Sequence, residues 1–298
     1  MNPSATHPAT LTVPPTPHVQ NQTPVRRHTF HGAAAALAVA AGLIAAPTET
    51  AAQSSESVAE AQPITLTGTL RDFRQDHPDM QNPQKSFGVK TGLVKNYLDA
   101  DGKPVLDTSN DPARGMITGP ESFGTWFRDV PGVNVTEPHA IALEEHPQKP
   151  GVFYFAREKQ MSGDEQYFFP MDGRGFNDLQ STSVGQHNYY FTYELRTEFS
   201  YDHPDSRDHD LTFRFVGDDD VWVYINGKLA VDLGGVHGQA AGSVNLDDMA
   251  ADLGLEPGGK YELVLFFAER HTTQSNFRIE TTLTLKEVPP TTVSPLYD

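Results

Sequence analysis

Between Leu211 and Gly238 the chain reads LTFRFVGDDDVWVYINGKLAVDLGGVHG, two apolar runs wrapped around a cluster of acids. Leu211, Phe213 and Phe215 alternate with Thr212 and Arg214, and Val221, Val223 and Ile225 alternate with Trp222 and Tyr224. That period of two predicts half-buried β-strands. Asn226-Gly227 supplies residues for the two positive-φ positions of a type I′ turn, so the second strand is predicted to fold back as a hairpin. The return strand would carry Leu229, Val231 and Leu233 on one face and Lys228, Ala230 and Asp232 on the other. Asp218, Asp219 and Asp220 fall where the first strand gives way to the second.

The same period recurs elsewhere. ITLTGTLRDF, from Ile64 to Phe73, predicts a first strand, and HNYYFTYELRTEF sets Tyr189, Phe191, Tyr193 and Leu195 against Tyr190, Thr192, Glu194 and Arg196. The wholly apolar YELVLFFA predicts a buried strand over residues 261–268, and Phe277, Ile279, Thr281, Leu283 and Leu285 predict another beyond a polar loop. Helical signals are few. Asn245 can cap a short helix ending before Gly254. SFGTWFRDVPGV suits a second short helix stopping before Pro131, with Phe123, Trp126 and Phe127 at helical spacing and read as core. EKQMSGDEQ reads as an exposed stretch.

Composition narrows the function. The chain has 298 residues, no cysteine and a formal net charge of −17, which excludes disulfide stapling and argues against nucleic acid or an anionic membrane as partner. Residues 1–52 read as a polar terminus followed by an export signal: Arg26-Arg27 precede the small apolar run 32–46, and Thr50-Ala51-Ala52 suit a signal peptidase. The run is too short to span a bilayer, and either a Sec or a twin-arginine route fits. A linker (53–62), one folded domain (63–286) and a flexible tail (287–298) complete the expected organisation, with a secreted, periplasmic or cell-surface location and no membrane insertion.

Enzyme signatures are lacking: there is no nucleophile elbow, no HExxH and no phosphate loop in its proper context. Gly173 and Gly175 in PMDGRGFNDL are read as turn residues, and Asp99-Ala-Asp101-Gly102 fails the spacing of an EF-hand. The loops holding Asp172, Asp178, His203 and His209 are read as solvated, since no metal spacing is matched. A glycosidase needs only a pair of carboxylates, for which Glu198, Asp218 and Glu269 could serve.

Two like charges about 4 Å apart repel by roughly 4 kcal/mol at an effective dielectric near 20, so the aspartate triplet needs either solvent or a cation. GDDDVWVYINGKLAVDLGGVHG, with the TLRDF strand, VPGVN, FFPMDGRGFND and FFAERHTTQSNF in order around it, resembles the fibro-slime family, a bacterial and slime-mould branch of the PA14-like domains. The resemblance spans roughly Thr65 to Leu285. It implies an all-β fold, an antiparallel β-sandwich or barrel with one or two short helices. It also implies Ca²⁺ held by two consecutive aspartates, often joined by a cis peptide, with sugar hydroxyls completing the shell. The family pattern places Asp218 and Asp219 on that pair, while Asp220 stands where many relatives have glycine and leaves Asp219-Asp220 open as an alternative. By the same resemblance Glu269, Asn276 and His237 are the next candidates for the site, and Trp222 could stack on a sugar ring or belong to the core. The expected function is calcium-dependent carbohydrate binding in adhesion or polysaccharide recognition, with a matrix domain holding a purely structural metal as the alternative.

Overall fold

The computed structural model describes residues 61–81, 87–109 and 116–288. The expected export signal, most of the linker and the tail beyond residue 288 lie outside the described residues. Strands dominate: β1 (Ile64–Phe73), β2 (Asn134–Glu145), β3 (Phe153–Arg157), β4 (Gln180–Thr182), β5 (Gly185–His187), β6 (Phe191–Tyr201), β7 (Thr212–Gly217), β8 (Asp220–Ile225), β9 (Lys228–Leu233), β10 (Ala240–Asn245), β11 (Gly259–Glu269), β12 (Phe277–Thr281) and β13 (Lys286–Glu287). The helices are α1 (Pro120–Phe123) and α2 (Leu246–Leu253). No helix among the described residues is long and apolar enough to cross a membrane.

All pairings are antiparallel. The main sheet runs β10-β7-β12-β3-β2-β1-β6-β11-β8-β9, with β13 on the stretch of β6 that β1 leaves free. The sheet curls until its two ends meet. A Cβ at Gly242 in β10 would collide with Val231 and Leu233 of β9, so the end strands lie directly against each other. This is the all-β, nearly closed sandwich that the alternation and the resemblance predict.

The inner face of this curl holds Leu66, Phe191, Tyr193, Phe215, Val223, Leu265, Phe267 and Phe277 in one apolar cluster. A second cluster lies on the outer face of β8 and β11, where Trp222, Tyr224, Val264 and Phe266 are covered by Phe123, Trp126, Phe127 and Leu93 from the long connections. That covering layer corrects the half-buried reading of β8: every residue from Asp220 to Ile225 is buried, because both of its faces meet apolar partners.

The Asn226-Gly227 turn forms as predicted, with φ of 50° and 73°. Its return strand does not keep one face. Val223 pairs with Val231 but Tyr224 pairs with Leu229, so Ala230 is the extra residue of a bulge. The bulge turns Leu229 to the outer cluster while Val231 and Leu233 stay in the inner one, as an inserted residue must when side chains alternate. Tyr189 departs from its expected face for a related reason: β6 begins only at Phe191, and Tyr189 and Tyr190 both pack into the outer cluster.

The helix expected from Ser122 and stopping before Pro131 is shorter and earlier. Gly124 closes α1 by donating to Pro120 O, and successive tight turns then carry Phe123, Trp126 and Phe127 into the core as predicted. Helix α2 forms as read, with the Asn245 side chain accepting from Asp247 N and Gly254 left-handed at its end. Beyond Thr281 the predicted strand stops, and Leu283 and Leu285 reach the core from a turn. In the stretch expected to be exposed, Glu158 is instead buried between Arg278 and Gln239.

Candidate functional site

The strand β7 ends at Gly217 and β8 begins at Asp220, so Asp218 and Asp219 form the corner between two sheet segments. The peptide joining them is cis. Opposite this corner the loop from Arg270 to Asn276 leaves the end of β11 and enters β12, and the Gly234–Gly238 segment leaves the end of β9. Three chain segments thus converge on one corner, and they do so because β8 pairs with both β9 and β11.

Each acid of the triplet has a different environment. Asp218 is held by Asn276 twice: Asn276 N donates to Oδ1 at 2.5 Å and Asn276 Nδ2 donates to Oδ2 at 2.9 Å. Asp219 accepts from His237 N at 2.9 Å and, at long range, from Arg270 N at 3.4 Å. Asp220 is ion-paired: Arg270 Nε donates to its Oδ2 at 2.6 Å, and Gly235 N donates to Oδ1 at 2.5 Å.

The expectation that Asp220 ligates a metal is therefore corrected. Its side chain and that of Arg270 are wholly buried, and the guanidinium already neutralises it. Trp222 is also taken out of the sugar contacts. It is 0% exposed, its ring packs against Phe123 and Trp126, and its indole N–H donates to Asp232, so no face of it meets solvent. His237 lies at the site through its backbone, while its ring nitrogens face the carbonyls of Gly238 and Leu233 and are not free to ligate.

Glu269 closes the corner. Both of its carboxylate oxygens are buried and lack a hydrogen bond of good geometry, and the Ser275 hydroxyl and His271 N–H that face it ease it only weakly. Burial, then the charges of Asp219 and Asp218, hold its carboxyl well above the usual carboxylate range, and Ser275 offsets this only in part. Asp219 is raised likewise by burial and by its two neighbours in the chain. Desolvation pushes Asp218 up to about 6, against the lowering effect of the Asn276 hydrogen bonds. Unpaired buried carboxylates are costly, so this corner must take up protons or a cation to be buried.

Among the described residues no three His, Cys, Asp or Glu side chains converge tightly enough to hold a metal ion by themselves. The donors that face the corner are the carboxylates of Asp218, Asp219 and Glu269 and the hydroxyl of Ser275, all hard oxygens. That donor set, with the orphaned oxygens of Glu269, fits Ca²⁺, whose shell is completed by carbonyls, hydroxyls and water as readily as by carboxylates. It does not fit a soft transition metal.

Other sequence candidates are placed elsewhere. Asp172 pairs with His187 at 2.6 Å and Asp178 accepts from Gln75 N. His203 and His209 face Asp205 and Asp208 in an exposed loop. Asp99 folds its own turn through the amides of Asp101 and Lys103. Glu198 cannot join Asp218 and Glu269 in a catalytic set. Glu269 pairs with Phe191 and Glu262 with Glu198, so Glu198 lies seven positions along β6 from the corner, roughly 23 Å away and far beyond the separation that a glycosidase pair requires. Arg270 and Ser275 were not singled out from sequence. A lone arginine directly after an apolar strand is the only signal the chain offers for the former.

The PA14 domain model matches residues 148–296, half of the chain. Protein psiR of Dictyostelium discoideum is 38% identical over 233 residues, covering 74% of this chain and 22% of that protein. Protein psiC of the same organism is 31% identical over 231 residues, covering 74% of this chain and 41% of its own. The chain thus spans less than half the length of these curated relatives. Among solved structures, the PA14 sugar-binding domain from an RTX adhesin overlaps 74% of this chain and 95% of its own, with 9% identity and a TM-score of 0.27.

Proposed function

Since this chain belongs to the PA14 domain family, we propose that it is an exported, calcium-dependent carbohydrate-binding module acting in adhesion or extracellular polysaccharide recognition. Asp218 and Asp219 hold the cation, Asn276 orients Asp218, and Glu269 supplies the remaining negative charge. The observation that carries this reading is Glu269: a fully buried carboxylate with no cationic partner among the described residues, beside two further raised acids. A divalent cation at the corner would balance two of the three carboxylates and leave the third protonated or solvated. When bound, Ca²⁺ would polarise and orient the sugar hydroxyls that enter its shell, and the chain's own work is to position the oxygens and keep Asp220 out of the set through Arg270. Export is supported by Arg26-Arg27 and the apolar run after them.

The depth of the corner favours a second reading. Asp218, Asp219 and Glu269 are 6%, 4% and 0% exposed, which is what a purely structural cation in a matrix domain would need. The two are separated by measuring calcium and sugar together. Calcium titrated into chelator-treated protein raises the thermal midpoint if the site exists, with about 2.7 kcal/mol gained at roughly a hundredfold excess over Kd, and Asp218→Asn with Asp219→Asn removes the shift. Glycan-array binding that vanishes in chelator establishes the carbohydrate reading. A calcium shift with no glycan retained assigns the metal to the fold, and no shift in the unaltered protein refutes calcium binding.

A further inference from the structure

Strands β2 and β3 pair only at Glu144 with Tyr154 and Glu145 with Phe153. Beyond those rows they splay, and the opening is a cleft of about 440 Å³ bounded on its third side by the segment that ends at Pro170. The volume lies within the usual range for small-molecule sites. Its floor is aromatic, with the buried Phe155 and Phe168 rings meeting edge to face and the half-buried Tyr154 and Phe169 supplying its exposed aromatic surface. Its rim is polar and carries both charges, chiefly Arg157, His139, Glu144 and Glu165.

The cleft and the acid corner share a wall. Phe168 N donates to Ser275 O at 2.7 Å, and Lys159 N donates to Asn276 Oδ1 at 2.9 Å. Arg157 pairs with Phe277, the residue immediately after Asn276. Tyr167 lines the cleft and also lies within the field of Asp218. It holds a left-handed backbone at φ 65°, a conformation rare for a bulky residue and one that collects at ligand sites.

We propose that this cleft is a second saccharide subsite adjoining the acid corner across their common wall, so that the ligand is an oligosaccharide reaching from one to the other and not a single sugar. The inference rests on the carbohydrate reading given above. The chemistry selects a sugar over other occupants. Aromatic faces pack against the apolar C–H face of a pyranose, while paired donors and acceptors on the rim take its hydroxyls. Burial, with Arg174 and Arg157 nearby, lowers His139 below its ordinary value, so its ring is neutral near pH 7 and offers one donor and one acceptor. Glu144 and Glu165, in a chain of net charge −17, disfavour phosphates.

The test uses an array of matched mono-, di- and trisaccharides, read in calcium for the unaltered protein, Ala142→Trp and Arg157→Ala. Ala142 is exposed at the cleft, so a tryptophan there fills the space with little demand on the core. The unaltered protein should retain di- or trisaccharides at least about tenfold more strongly than the corresponding monosaccharide. Both variants should lose that preference yet keep monosaccharide binding and the calcium-dependent rise in thermal midpoint. Binding that is independent of length, or a length preference untouched by both variants, overturns the subsite, as does calcium stabilisation with no glycan bound. If calcium gives no shift but longer glycans still bind in a cleft-dependent manner, the cation reading fails and the cleft stands as a saccharide site.

Discussion

Arg270 Nε lies 2.6 Å from Asp220 Oδ2, and neither side chain touches solvent. The same guanidinium donates from NH1 to the carbonyls of Asp79 and Met116 and rests 4.8 Å from the Trp126 ring centre. One cation therefore fastens the outer layer of loops to β8 and withdraws the third aspartate from the corner that Asp218 and Asp219 form.

Removing only one member of this pair leaves a buried charge with no partner. Arg270→Met is expected to cost about 3–5 kcal/mol, read as a lower midpoint in urea unfolding. Asp220→Asn added to that variant should recover part of the loss, because the charge left behind is then gone. Equal costs for the single and double variants would show that the lost carbonyl contacts, and not the charge, dominate.

Acidity gives a second check. Asp72 is buried and pushed up to about 6 by desolvation, against the opposing hydrogen bonds from Asn188 and Phe176 N. Asp218 is raised to about 6 in the same way. A carboxyl raised on folding binds its proton more tightly in the native state, so the linked stability is present below the unfolded value near 4 and is lost as pH rises through about 6. Calcium-free protein should therefore lose more stability, or gain less, from pH 5 to pH 7 than its Asp72→Asn, Asp218→Asn variant, against the opposite contribution of His77, His139 and His271, which burial lowers. Saturating calcium should remove the share due to the acid corner and leave that of Asp72, giving a shallower dependence. An identical pH dependence of the unaltered protein and that variant in chelator would contradict both burials.

The legible parts of the fold were those that one strand or one turn determines by itself. Asn226-Gly227 announces its hairpin, and Asn245 with Gly254 brackets α2. The Ala230 bulge, by contrast, comes from how β9 fits against β8, and nothing in KLAVDL marks which residue is extra. The outer apolar layer was hidden for a similar reason. Trp222 alternates like a solvent-facing residue until Phe123 and Trp126, about a hundred positions earlier in the chain, cover it. At the site, the acids were visible as a run in the sequence, but the division of labour between Asp219 and Asp220 depends on where Arg270 lands. That is a tertiary fact, set by the pairing of β8 with β11.

Trp222→Phe separates core from ligand contact. The variant loses the hydrogen bond to Asp232 and some packing against Trp126 and Phe123. A loss of roughly 1–3 kcal/mol in unfolding free energy is expected, with glycan affinity unchanged under conditions where the protein remains folded. A large fall in affinity with little change in stability would return Trp222 to the binding surface.

Glu269→Gln distinguishes a cation site from a merely uncomfortable acid. In chelator the substitution replaces a buried acid that desolvation and its neighbours hold above the usual carboxylate range with an amide of the same shape that needs no proton to be buried, so the variant should equal or exceed the unaltered protein in thermal midpoint. In calcium the order reverses, because the unaltered protein gains the binding free energy of the cation and the variant offers one charge fewer to hold it. The crossing of the two orders is the diagnostic result, since a carboxylate that served only the fold would give the same ranking in both solutions. A variant destabilised equally in chelator and in calcium would mean that Ser275 and His271 already satisfy Glu269, and the corner would then lack the strained acid on which the calcium reading depends.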